Sequence, residues 1–241
     1  FASSAASDVY KRQNIFTLMS DNAINTPDKH PILYSFRRCP YAMRARLSLY
    51  YAGITVELRE VVLKDKPEPM LTASPKGTVP VLIPSKDKVI DESYDIMHWA
   101  LSQKDPQQFY VTDLDETNDL VARNDNEFKK ALDRYKYPNR YPDEDCSGAR
   151  DICEAYFADL NARLEKHRYL MGQDLKLADI AIFPFVRQAA NVDKYWFEGL
   201  DMPRLHQWLG ENTNSKAFSA VMPKFDQWKE GQPPLLLAPW G

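Results

Sequence analysis

Residues 37–44 read RRCPYAMR, and Cys39 is one of only three cysteines in 241 residues. A thiol is a nucleophile as its thiolate. The first turn of a helix offers that anion unpaired N–H groups and the positive end of the helix dipole. Pro40 suits such a turn, where its missing N–H is not needed. The stretch therefore predicts a thiolate displayed at a helix start, with a pKa below the ordinary value of about 8.5. Arg37 and Arg38 would add to this if either turned inward. A small, buried, inert side chain is the alternative reading. Ala42 stands where a C-x-x-C motif would have its second cysteine. A mixed disulfide on Cys39 would thus need an outside thiol to resolve it.

Other candidate positions are more dispersed. LKDKP carries Lys66, with Lys64 as its neighbouring competitor. GTVPVL carries Val79 and Pro80, and Pro80 reads as the start of a strand, with a cis bond as one option. DES carries Glu92 and Ser93, and Ser93 is a candidate N-cap for the helix that follows. Asp179 reads as structural, tying the start of its own helix. Cys146 and Cys153 share a helix face only if one helix runs through Gly148, and both read as structural. The four histidines are scattered, no cysteine pair has zinc-ligand spacing, and no metal is expected.

Charged residues make up 27% of the chain and the formal net charge is −3. No basic run or basic–aromatic stripe suggests nucleic acid. No apolar stretch is long enough for a membrane span. Free thiols make a reducing cytoplasm the expected compartment. The opening FASSAASDVYKRQ is polar and unpatterned, so residues 1–30 read as a disordered extension, with residues 1–18 expected to be non-native.

The elements that would position these residues follow from periodicity. PILYSF reads as a strand, residues 40–52 as a helix ended by Gly53, and ITVELREVVL as a second strand. KDKPEPM reads as a loop. Strands at GTVPVLIP and KVI and a helix over residues 91–103 follow. Beyond KDPQQFY no convincing strand recurs. Helices are expected over residues 113–136, 149–168 and around LKLADIAIFPFVRQAA, with a kink at Pro184. The tail GQPPLLLAPWG is expected to pack as an extended strap.

With these motifs in this order, the chain resembles the cytosolic glutathione transferases, and CPYAMRARL resembles the cysteine motif of their omega-like members. LKDKP, GTVPVL, DES and LADIAIFP resemble further family stretches. The resemblance implies a thioredoxin-like α/β domain (βαβ-ββα, residues 31–104) and an all-α helical-bundle domain (residues 112–225), then a tail (residues 226–241). It implies Cys39 as the catalytic residue. It implies glutathione bound by Lys66, Val79, Pro80, Glu92 and Ser93, with Tyr41 lining the cleft. If Glu92 is buried and hydrogen-bonded, its removal would weaken binding by about 2–5 kcal/mol. Phe128, Tyr135 and Trp240 are candidates for the wall of the second pocket. The chain departs from the family at Lys176, where a Ser or Thr cap is usual, so the capping box would be half present. The implied activity is glutathione-dependent thiol transfer or reduction on a small electrophile or disulfide, by a homodimer. A glutathionyl-hydroquinone reductase, or a non-catalytic adaptor on the same fold, are the alternatives.

Overall fold

The computed structural model describes residues 30–110 and 114–238. The expectations for residues 1–29 and for Trp240 lie outside them. Two buried strands set the frame. β1 (Ile32–Ser35) runs parallel to β2 (Val56–Glu60), with Leu33 opposite Leu58. α1 (Pro40–Tyr51) makes the crossover, and Gly53, at φ +70°, follows its end. β3 (Val81–Ser85) lies antiparallel to β1, and β4 (Lys88–Ile90) antiparallel to β3. α3 (Ser93–Gln103) packs against α1.

Strand alternation divides the core in two. Leu33, Leu58 and Leu82 join the cluster that contains α1 and α3. Ile32, Tyr34, Val81 and Ile83 join a second cluster. Its cover differs from the sequence reading in two places. The expected loop at 64–70 passes into a six-residue helix, α2 (Glu68–Ala73), whose Met70 is buried in that cluster. One buried side chain leaves too little periodicity to reveal a helix. Of the tail expected to pack as a strap, Leu237 is buried, whereas residues 231–236 are exposed. The tail also supplies a fifth strand, β5 (Leu236–Leu237), antiparallel to β2, where no further strand was expected. The sheet order is β4-β3-β1-β2-β5. Upstream in the tail, buried Trp228 meets Tyr34 edge-on at 6.1 Å, with the Arg59 guanidinium 4.3 Å from its ring.

The rest of the described chain is helical up to the tail. The helix expected over 113–136 is broken into α4 (Asp115–Arg123), a π-helical turn (Asn124–Phe128) and α5 (Lys129–Lys136). α6 (Ala149–Lys166) begins after Cys146, so the two distal cysteines do not share a helix. α7 (Leu177–Ala190) is almost wholly buried and runs through Pro184. α8 (Lys194–Glu198), α9 (Pro203–Thr213) and α10 (Lys216–Val221) close the bundle. Asp179 is fully buried and ties three segments: its carboxylate accepts the N–H groups of Leu170 and Lys176 and the Trp208 indole N–H. This is the half capping box. The Lys176 ammonium instead donates to the Gln108 carbonyl at 2.8 Å.

Candidate active site

α1 begins where β1 hands the chain over, with Cys39 at its N-cap. Cys39 is half-buried, and its thiol donates to the Val79 carbonyl at 3.6 Å. The Val79–Pro80 bond is cis, and β3 starts one residue later. These residues lie in a cleft of about 650 Å³ that Tyr41, Lys66, Glu92 and Ser93 also line. Cys39, Tyr41, Lys66, Val79, Pro80, Glu92 and Ser93 thus line one cavity. Lys66 is among them and Lys64 is not. Gly77, which also lines the cleft, sits at φ +60°, where a side chain would be strained, and an added Cβ would stand 3.3 Å from Leu71 Cδ2.

Three details depart from expectation. Burial pushes the Cys39 thiol up from its ordinary value, although the N–H groups of Ala42 and Tyr41 and the charges of Arg46 and Lys129 pull it down. The net direction is upward, because desolvation outweighs a helix start and two cations that make no contact with the sulfur closer than through space. Arg37 and Arg38 do not supply the positive charge. Arg37 donates to the Met222 carbonyl, and Arg38 lies over the Phe36 ring. Ser93 is not the cap of α3. Glu92 holds that position without a side-chain cap bond, and the buried Ser93 hydroxyl accepts from Arg44 Nε at 3.0 Å.

Glu92 is 67% exposed and pairs with Lys76 at 2.5 Å, while Lys76 also lies 3.4 Å from Asp91. The condition for a large Glu92 effect, burial, is not met. Phe128 stacks on Tyr156 in the core at 4.3 Å, and Tyr135 meets Trp196 edge-on, so neither lines this cleft. The Tyr41 ring meets Phe185 edge-on at 4.8 Å, and burial, with Asp125 nearby, pushes its phenol well up. It stays a neutral hydrogen-bond donor through the neutral pH range.

Sequence reasoning missed Arg44, Asp125 and Lys76. Arg44 is buried on α1 and makes a two-pronged pair with Asp125 of the π-helical turn, at 3.0 and 2.6 Å. Asp125 of that turn lines the cleft. A signal was present: AMRARL puts two arginines among small apolar residues, and an arginine on a core face demands a partner. Both are buried, and Arg46 reaches the Ser35 hydroxyl and the Arg37 carbonyl. The cleft therefore offers a nucleophilic sulfur, a backbone edge at Val79, and side chains of both signs. That inventory suits a zwitterionic peptide-like thiol.

Comparison with known proteins agrees with this architecture. Residues 33–108 match the family model "Glutathione S-transferase, N-terminal domain", and residues 118–211 match "Glutathione S-transferase, C-terminal domain". The chain is 28% identical over 196 residues to glutathione S-transferase omega-1 of Sus scrofa, covering 80% of this chain and 76% of the relative. A glutathione transferase from Phanerochaete chrysosporium, solved with oxidized glutathione, superposes with TM-score 0.70 at 18% identity, over 80% of this chain and 95% of that one. A family member from Pseudomonas fluorescens, solved with two glutathione molecules bound, gives 0.69 at 16% identity, over 80% of this chain and 92% of that one. An N-terminal mixed sheet with a cysteine at the first helix start, a helical second half, and the two matched family models together place this chain in the glutathione S-transferase family, with a likeness to its omega-type members.

Proposed function

We propose that this protein is a glutathione-dependent thiol transferase or reductase that works through a Cys39–glutathione mixed disulfide. The carrying observation is the placement of the Cys39 sulfur at the start of α1, against the Val79 carbonyl, within a cleft of mixed charge. Glutathione fits the cleft by charge. Its ammonium faces Asp91 and Glu92, its γ-glutamyl carboxylate meets the uncapped start of α3 at Ser93, and its glycyl carboxylate meets Lys66. Its cysteinyl backbone pairs with Val79.

The chemistry takes two exchanges. The Cys39 thiolate attacks the glutathione sulfur of a mixed disulfide. That S–S bond breaks, a new one forms to Cys39, and the departing thiolate takes up a proton. The thiolate of a free glutathione then attacks the sulfur held by Cys39. Oxidised glutathione leaves and Cys39 is regenerated. No cysteine occupies position 42, whose alanine is buried, so the second exchange comes from outside. Glutathione mixed disulfides, small disulfides and dehydroascorbate are the candidate substrates, and a homodimer is the assembly we expect.

The test is Cys39→Ser. A hydroxyl forms no mixed disulfide, so reduction of a small glutathione mixed disulfide should fall to background. Weak conjugation to an electrophile should survive or rise, because serine can hydrogen-bond the thiolate of bound glutathione. Reduction at the wild-type rate by Cys39→Ser would refute the mechanism.

A further inference from the structure

Lys76 stands between α2 and β3 and lines the cleft beside Asp91 and Glu92. Its ammonium lies 2.5 Å from a Glu92 carboxylate oxygen, 3.4 Å from an Asp91 carboxylate oxygen and 3.5 Å from the Asp91 carbonyl. An ammonium has three donors, and three oxygens surround this one. The other Asp91 carboxylate oxygen accepts the hydroxyl of buried Ser74 at 2.7 Å, which fixes the orientation of that carboxylate. The protein's own ammonium thus sits on the two carboxylates assigned above to the ammonium of glutathione.

Both groups are primary ammonium ions, so they compete for one place. Lys76 is 43% exposed and Glu92 67%, and solvent weakens the pair they make. The lysine stem is flexible, so its ammonium can turn out to water without disturbing the chain around it. The lysine matters most for a ligand that has no ammonium. With Lys76 in place, Asp91 and Glu92 stay neutralised beside the ligand's carboxylate at Ser93. Without it, they would face that carboxylate as bare like charges.

We propose that Lys76 is a specificity-determining residue that stands in for the ligand's ammonium, so that the cleft takes glutathione and also glutathione analogues lacking the amino group. When glutathione binds, its ammonium displaces that of Lys76. When the analogue binds, Lys76 keeps its place. The inference rests on the cleft being a glutathione site, as in the reading above, and names what that site discriminates.

The test compares glutathione with glutaryl-cysteinylglycine, which is glutathione with its amino group replaced by hydrogen, by calorimetry under a non-thiol reductant. Wild type should bind the two with dissociation constants within about fivefold of each other. In Lys76→Met glutathione should bind as tightly as in wild type or up to about fivefold more tightly, because its competitor is gone. The analogue should bind more weakly to that variant, and the ratio of the two constants should rise by about threefold or more. The ratio is taken within one preparation, so partial misfolding cancels. Lys76→Arg keeps the charge and should bring the ratio back toward the wild-type value. Stronger discrimination than this by wild type, a ratio that does not rise in Lys76→Met, or weaker glutathione binding by that variant would overturn this inference alone. Failure of wild type to bind glutathione would overturn it together with the thiol-transfer mechanism.

Discussion

The Cys39 sulfur is held between opposing influences. Two backbone N–H groups and the charges of Arg46 and Lys129 favour the anion, and burial disfavours it. Burial prevails, so the thiol's pKa is raised above its ordinary value. Alkylation of Cys39 in the ligand-free protein should then climb about tenfold per pH unit through neutrality, with no plateau there. A plateau between pH 5 and 7, read from iodoacetamide kinetics, would show that the helix start dominates after all. Glu92 illustrates the same sensitivity to burial. Its exposed pair with Lys76 makes the expected cost of Glu92→Ala about 1 kcal/mol or less in glutathione affinity by calorimetry. A loss above about 2 kcal/mol would mean that the ligand buries this carboxylate. Cys39 stood out by its own setting, between two arginines and a proline, whereas Lys66, Val79 and Ser93 were picked out by the resemblance of their short motifs to family stretches. The direction of the Cys39 shift was not legible, because desolvation depends on chains packed around it from far away in sequence.

At the scale of elements, periodicity found what was long and amphipathic and missed what was short. α2 buries only Met70, and β5 is two residues held by register with β2. The π-helical turn leaves the apolar stripe of its flanking helices nearly intact, so the sequence reads through it as one helix. The link at the start of α7 was legible in Asp179. Asp179→Ala would leave three donors without acceptors, two backbone N–H groups and the Trp208 indole. At about 1–3 kcal/mol for each buried orphan, a loss of about 3 kcal/mol or more is expected in urea unfolding. Burial also pushes the Asp179 carboxyl up from 3.8 to about 6, against those three hydrogen bonds. A raised acid binds its proton more tightly folded than unfolded. The contribution of this group to stability should therefore fall as pH rises through that window and level off above it. Unfolding of wild type and Asp179→Asn, compared from pH 4 to 7, checks the sign. A wild-type advantage that grew with pH would show the hydrogen bonds outweighing desolvation.

Across the whole molecule, the cleft exists because two parts of the chain are locked together at its floor. Arg44, buried on α1, joins Ser93 of α3 to Asp125 of the π-helical turn, and it packs against Tyr41, Tyr94 and Phe185. Asp125→Asn should strip the guanidinium of its counter-charge and cost about 2–3 kcal/mol. A double-mutant cycle with Arg44→Met should return most of that as coupling. Zero coupling would mean the contact does not hold the two halves in place. The central claim is that Cys39 carries glutathione covalently. Incubation with oxidised glutathione, intact mass and peptide mapping address it directly. The account predicts one glutathionyl group, on Cys39, released by reduced glutathione, while half-buried Cys146 and buried Cys153 stay free. An adduct on Cys146, or no adduct on Cys39 while glutathione binds in the cleft, would contradict it.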